Sequence, residues 1–366
     1  MKKLAAIFIV WVVVANLFAL LSLNRLNLAP DTAYPWIDPA KSFQKQTWSP
    51  INSHAKWDSF WYLGIAADGY EFRGYDKLSN IVFFPVYPLL IRLLTPALAS
   101  DSVLITAGWL MSLVFLFLAL WYLVKLVREF HKNLDPYLPI ILLLIFPTAF
   151  FLNTVYTESI FLFFSIATFY YALKKDFTHA AVFGLLASLT RITGVLLLIP
   201  VLYEYYKLYG FKLNRKFLPL LLIPAGLLSF FAFHFFKFGD ALLFFKIQSR
   251  WGRSFAINWD HLNLTGHPGT VNLVLDGLFT IFAVLATFLV FKKLRASYGL
   301  YMLATIGVAL STGTMMSIGR YVLVLFPIYI LGAAIKNEYV RYAWILISAL
   351  LFALYTILFV NYYWAG

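Results

Sequence analysis

The chain has 366 residues, of which 62% are apolar, 19% aromatic and only 12% charged, and its net charge is +13. Soluble domains carry about 25% charged residues, so this chain lacks the polar material to cover a water-facing surface, and soluble globular and disordered classes are excluded. Cysteine is absent, which removes disulfides, thiolate metal sites and cysteine nucleophiles.

The apolar runs are continuous, as membrane helices require, and not the alternating segments of about 10 residues that build a barrel. The first run, 4–23, follows Lys2 and Lys3. It exceeds the 7–15 residues of a signal-peptide core and no convincing cleavage site follows it, so it is expected to be an anchor with its N-terminus inside. Further runs lie at 102–124, 137–153, 155–173, 179–190, 193–206, 217–236, 272–291, 298–313, 321–335 and 342–362. Several fall short of the about 20 residues a full span needs, so the regions 179–206 and 298–335 are expected to be tilted, broken or partly sunk.

The run 81–99 is ambiguous, because it holds Pro85, Pro88, Pro96 and Arg92. Basic residues mark the cytoplasmic side. If 81–99 does not cross, one side collects Lys2, Lys3, Lys125, Arg128, Lys132, Lys174, Lys175, Lys207, Lys212, Arg215, Lys216, Lys292, Lys293, Arg295, Lys336 and Arg341, with 5 acidic residues against these 16. If it crosses, the asymmetry collapses. The expected fold class is therefore an all-α polytopic membrane protein of about eleven transmembrane helices, a single integral membrane domain over 1–366, with 81–99 as an interfacial or re-entrant helix. Two large extracytoplasmic loops follow, 24–101 and 237–271. Loops of this length in a compact protein are usually functional.

Candidate chemistry gathers on that outer side. His54–Tyr70 reads as a short amphipathic helix ending at Gly69, with Trp57, Trp61 and Tyr62 suited to the membrane interface. Asp58 stands among these aromatics. A carboxylate so placed can serve as a general base, or it can simply face water or cap a turn. Asn80–Pro88 reads as a proline-stiffened packing element. In Phe146–Ser159 the turn 153–157 is outside, and Glu158 opens the next run, where the helix dipole favours an acid. An ionisable group at the lip of a span is also functional by default. Arg191, in Ser188–Gly194, comes to the same face. It can pair structurally with Glu158 or snorkel, or its planar fork can clamp a phosphate.

The second loop carries Lys237, Asp240, Lys246, Arg250, Trp251, Arg253, Trp259, Asp260, His261 and His267. Basic residues between tryptophans could hold an anionic head group or a sugar, or merely decorate a surface near lipid phosphates. Asn263-Leu264-Thr265 is a glycosylation sequon. Arg320, at the outer end of the run 321–335, is a second phosphate candidate. The histidines show no i,i+4 pairing with a carboxylate base, and no P-loop, GxSxG or HExxH occurs, so ATP-driven transport and serine hydrolysis have no support.

The order of motifs carries more than any one of them. Trp57-Asp58, Tyr62-Leu63-Gly64-Ile65-Ala66, Gly69-Tyr70, Phe83-Phe84-Pro85-Val86-Tyr87-Pro88, Phe146-Pro147, Tyr156-Thr157-Glu158-Ser159 and Ser188–Gly194 resemble, in consistent order over about residues 54–200, the GPI mannosyltransferase 2 (PIG-V) family. Arg320-Tyr321 and Phe326-Pro327 are more loosely similar to other membrane glycosyltransferases. The chain is shorter than eukaryotic members and looks more like a prokaryotic homologue.

The resemblance implies a GT-C fold and transfer of a sugar, usually mannose, from a polyprenyl-phosphate donor to a lipid-linked or glycan acceptor. It also implies an acidic base in the first outer loop, which Asp58 matches. On this reading the transfer inverts the anomeric centre, Arg191 and Arg320 bind the donor phosphate, and Trp57, Tyr62, Tyr70, Tyr156, Glu158, Arg250, Trp251 and Arg253 bind substrate. No cofactor is expected, although a divalent metal is compatible with the reading. Membrane lipids are partners and nucleic acid is not. The chain sits in the plasma membrane if prokaryotic or the endoplasmic reticulum if eukaryotic, with its site on the extracytoplasmic or lumenal face. The alternatives are a transporter or flippase for an anionic lipid or sugar, which would place charges near mid-membrane and often shows repeats, and a non-catalytic scaffold.

Overall fold

A computed structural model describes residues 1–23, 25, 50–212, 214–253, 270–363 and 365. Parts of both outer loops lie outside these residues, among them Trp259, Asp260, His261, His267 and the Asn263 sequon. Among the described residues the fold is helical, with no strand.

In chain order the α-helices are α1 (Lys2–Ser22), α2 (Ser59–Asp68), α3 (Val86–Leu94), α4 (Asp101–Phe130), α5 (Leu138–Leu144), α6 (Glu158–Leu173), α7 (Phe177–Ser188), α8 (Leu198–Tyr209), α9 (Leu222–Phe238), α10 (Leu243–Ile247), α11 (Thr270–Lys293), α12 (Ala296–Leu310), α13 (Ile318–Leu323), α14 (Pro327–Ala333) and α15 (Glu338–Val360). Among the described residues five stretches are long and apolar enough to cross a membrane: α1, α4, α9 with the turn before it, α11 from Val274 onward and α15. They expose rows of large apolar side chains, such as Ile9, Val13 and Leu17 on α1 and Leu278, Ile281 and Leu285 on α11. Such faces need hydrocarbon as their solvent.

The remaining apolar runs are shorter or interrupted. α6 is buried along nearly its whole length, as a helix that is apolar all round must be. The regions 179–206 and 298–335 are broken: a 3-10 turn over Ile192–Leu197 separates α7 from α8, and residues 324–326 separate α13 from α14. Small residues let α7 and α9 approach closely, because a Cβ on Gly226 would lie 2.8 Å from the Leu185 carbonyl oxygen.

The only α-helix in residues 81–99 is the nine-residue α3, which follows a 3-10 turn over Asn80–Val82. Nine residues rise about 13.5 Å, less than half of the about 30 Å hydrocarbon core. Tyr87 and Ile91 face inward, while Leu89, Leu93 and Leu94 are exposed, as on a helix lying in the interface. Arg92 is not stranded in lipid. It donates to the Ala66 and Ala67 carbonyls at 3.1 and 2.8 Å, satisfying the C-terminal end of α2.

The segment 54–70 differs from an exposed amphipathic helix. It divides into a 3-10 turn, Pro50–His54, and α2, and Trp57, Tyr62, Leu63 and Ile65 are buried. The reason is that the turn between α5 and α6 covers it. Val155 donates its amide to the His54 carbonyl at 2.8 Å, and the His54 ring meets the Asn153 carbonyl at 2.9 Å and stacks on Trp109. Burial lowers the His54 pKa to about 4, so the ring is neutral and its Nδ1–H donates.

Lys56 is buried against the Tyr362 ring, 3.7 Å from its centroid. Desolvation outweighs that ring and lowers the ammonium pKa to about 7. Between that value and the unperturbed one the unfolded chain holds the extra proton, so stability rises with pH over this window. Lys56→Met is expected to raise Tm at pH 7 and to flatten the dependence of Tm on pH between 7 and 10. Unchanged melting curves would show that the lysine is not desolvated.

Candidate functional site

Two turns bring a carboxylate and a guanidinium face to face. Before α2, Trp57 takes a left-handed conformation with φ 55°, and before α13 Ser317 does the same with φ 65°. Non-glycine residues adopt this conformation at a cost of order 1–3 kcal/mol, and such strain clusters at functional sites. The first turn is held by Tyr156, whose hydroxyl donates to the Lys56 carbonyl at 3.0 Å and accepts the Asp58 amide at 3.2 Å. The Asp58 side chain does not cap α2. It turns instead toward Arg320.

Arg320 joins two carboxylates. Its Nη1 donates to Asp58 Oδ2 at 2.6 Å and its Nε to Glu158 Oε1 at 2.8 Å. Its guanidinium carbon lies 4.7 Å from the Tyr156 ring centroid and 5.0 Å from that of Phe151. Arg191 Nη1 reaches the same Glu158 oxygen at 2.8 Å. Glu158 is fully buried, a position a carboxylate tolerates only when paired. Here two guanidinium groups share one of its oxygens, and among the described residues Oε2 has no hydrogen-bond partner.

Arg191 reaches this place because the chain turns sharply after α7. A Cβ on Gly194 would lie 2.2 Å from the Ala187 carbonyl carbon and oxygen, which are backbone atoms that cannot move aside. Gly194→Ala is therefore expected to displace the Arg191 turn and lower both the folded yield and Tm. Wild-type melting and yield would contradict that close approach.

Beside this network lies a cavity of about 410 Å³. Asp58, Tyr62, Arg191 and Arg320 line it with Phe83, Thr190, Gln248, Arg250, Trp251, Arg253, Ser317 and Tyr321. The loop 69–85 makes one wall. It is pinned by Tyr70, which donates to the Phe83 carbonyl at 2.7 Å, and by Asn80, which bonds the Gly69 carbonyl and the Glu71 amide. Trp61, Phe83 and Trp251 cluster, with centroids 5.4 to 5.9 Å apart. Burial raises the Tyr62 hydroxyl to about 12 despite the opposing charge of Arg320, so this hydroxyl stays protonated.

Charge balance divides the cavity. Asp58 and Glu158 are matched by Arg191 and Arg320. Arg253 donates to the Tyr321 hydroxyl at 3.1 Å and Arg250 to the Tyr75 carbonyl at 3.1 Å; neither forms an ion pair with a described residue. Among the described residues the cavity is thus net positive on the side of Arg250 and Arg253. No group of three His, Asp or Glu side chains that could hold a metal occurs among the described residues.

Of the residues singled out from the sequence, Asp58, Tyr62, Arg191, Arg250, Trp251, Arg253 and Arg320 share this one cavity. Trp57, Tyr70, Tyr156 and Glu158 stand behind its walls, where they hold lining residues without lining it themselves. Gln248 carries no motif that sequence reading could have used, and Tyr321 stands in the Arg320-Tyr321 motif without having been singled out for a role.

The model of the mannosyltransferase (PIG-V) family matches residues 4–248. No curated protein sequence matches the chain. Among solved structures, ArnT from Cupriavidus metallidurans bound to undecaprenyl phosphate is similar over 97% of this chain and 76% of that one, with a TM-score of 0.53 at 13% identity. The apo oligosaccharyltransferase of Archaeoglobus fulgidus is similar over 98% of this chain and 56% of that one, at a TM-score of 0.44 and 14% identity; this second likeness is too loose to add to the first.

Proposed function

Because the chain belongs to the mannosyltransferase (PIG-V) family, we propose that it transfers mannose from a polyprenyl-phosphate donor to a lipid-linked or glycan acceptor on the extracytoplasmic face of its membrane. The coarser conclusion, an all-helical integral membrane glycosyltransferase with a GT-C fold, is the ground for this. ArnT was solved with undecaprenyl phosphate, which supports a polyprenyl phosphate as the carrier here as well.

The observation that carries the reading is the arrangement of Asp58. Its Oδ2 is committed to Arg320, no described residue donates to its Oδ1, and its side chain, 17% exposed, lines the cavity. In the proposed reaction that oxygen takes the proton of an acceptor hydroxyl. The acceptor oxygen attacks C1 of the donor sugar, the bond from C1 to the phosphate oxygen breaks, and the lipid phosphate leaves with the electron pair. One displacement inverts the anomeric centre.

Arg191 and Arg320 face the growing negative charge with guanidinium nitrogens that the carboxylates do not occupy, and Arg253 adds a positive charge that no described carboxylate matches. Preorganised cations of this kind stabilise a leaving phosphate without reorganising. No nucleotide is needed, consistent with the absence of any nucleotide-binding motif.

The test uses purified protein with polyprenyl-phosphate mannose and a panel of lipid-linked and glycan acceptors, with and without chelator. Acceptor-dependent loss of the donor and a product of inverted configuration are expected. No binding of any polyprenyl phosphate would overturn the reading.

A further inference from the structure

Two polar side chains on the cavity wall remain without work after the ion pairs are assigned. Gln248 lies at the end of α10, is 7% exposed and lines the cavity. Its backbone is fixed, because the Arg253 amide donates to the Gln248 carbonyl at 3.1 Å. Its side-chain carboxamide, however, hydrogen bonds to no described residue. Ser317, 4% exposed, also lines the cavity, and its hydroxyl likewise bonds to no described residue. Both side chains belong to buried residues, yet their polar atoms open onto the cavity and not into the packed interior, so a ligand held there can supply the partners that buried polar groups normally have.

We propose that Gln248 and Ser317 read the hydroxyl groups of the transferred sugar and so determine which sugar the cavity accepts. This rests on the glycosyltransferase reading above. The chemistry suits a neutral polyol. A carboxamide offers both donors and acceptors and a hydroxyl offers both roles, which matches a hexose hydroxyl that also donates and accepts. The charged groups divide the remaining space: Arg250 and Arg253 bring the positive charge a phosphate needs. The carboxylates are already matched by guanidinium groups, so among the described residues none is left to compensate an ammonium on the sugar. In this proposal the sugar lies against Gln248 and Ser317 with its phosphate on the guanidinium groups of the same cavity. A site built to hydrogen bond a hydroxyl discriminates strongly against a substrate that presents it wrongly.

The experiment measures KM and kcat with polyprenyl-phosphate mannose and with its glucose epimer, and the affinity for sugar-free polyprenyl phosphate, in wild type, Gln248→Ala and Ser317→Ala. For Gln248→Ala the expected result is a KM for the mannose donor raised about tenfold, a reduced preference between the epimers, and unchanged affinity for sugar-free polyprenyl phosphate. Ser317→Ala shifts the same two readouts by a smaller factor. If Gln248→Ala does not fold, Gln248→Glu keeps the volume, removes the amide donors and is expected to lose the epimer preference. Unchanged KM and epimer preference in an active protein overturn the proposal alone. An equal loss of affinity for sugar-free polyprenyl phosphate also overturns it, by assigning Gln248 to the carrier. Wild-type protein that binds no polyprenyl phosphate overturns the functional reading, and this proposal falls with it.

Discussion

Asp58→Asn is expected to abolish sugar transfer, lowering kcat by about a thousandfold within the range a general base contributes, with KM for the donor nearly unchanged. The substitution keeps the shape of the side chain, and its amide oxygen still accepts from Arg320 Nη1, the donor that Asp58 Oδ2 meets at 2.6 Å. It removes only the charge and the basicity. Tm should therefore fall little, because Arg320 keeps its bond to Glu158 at 2.8 Å. This separates a chemical role from a structural one. Near-wild-type turnover would remove Asp58 from the base role, whereas a collapse in Tm equal to the loss of activity would make it a structural partner of Arg320.

Arg320→Gln should damage both stability and activity. Arg320 is the only described cation paired with Asp58 and one of two paired with Glu158, so its loss leaves buried negative charge without compensation. Removing one partner of a buried ion pair costs about 3–5 kcal/mol. Arg320→Lys tests geometry with the charge retained. An ammonium is a point charge and cannot offer the planar fork that spans two carboxylates, so a loss of at least about a hundredfold in kcat is expected even where the protein still folds.

A double-mutant cycle with Glu158→Gln should be strongly non-additive in Tm, since neutralising Glu158 removes part of the reason for needing Arg320. Additive effects would mean that the three side chains do not act as one network.

How far these features could be foreseen varies with the range of the interaction. That Glu158 and Arg191 reach the same membrane face followed from counting helices between them, and their 2.8 Å pairing agrees with that topology. Asp58 stood out as an acid among interfacial aromatics. That Arg320, 262 residues away, bonds to it had no local signal at all. Nor had the bonds by which Tyr156 and Tyr70, read from the sequence as substrate contacts, hold the Asp58 turn and the cavity wall. The unpaired carboxamide of Gln248 becomes visible only when every other polar group around it has been given its partner.

The amino-acid sequence by itself determined the solvent and the secondary structure: with so few charges the chain belongs in lipid, and in lipid its backbone must satisfy itself within helices. It also sets the expectation of which ends face the cytosol, because that depends on where lysines and arginines fall along the chain. Tertiary structure alone decided which carboxylate meets which guanidinium and which side chains line the cavity rather than support it. Composition and periodicity are properties of neighbours in sequence. Ion pairing in a desolvated chamber depends on distances of a few ångströms, set when helices from opposite ends of the chain pack together.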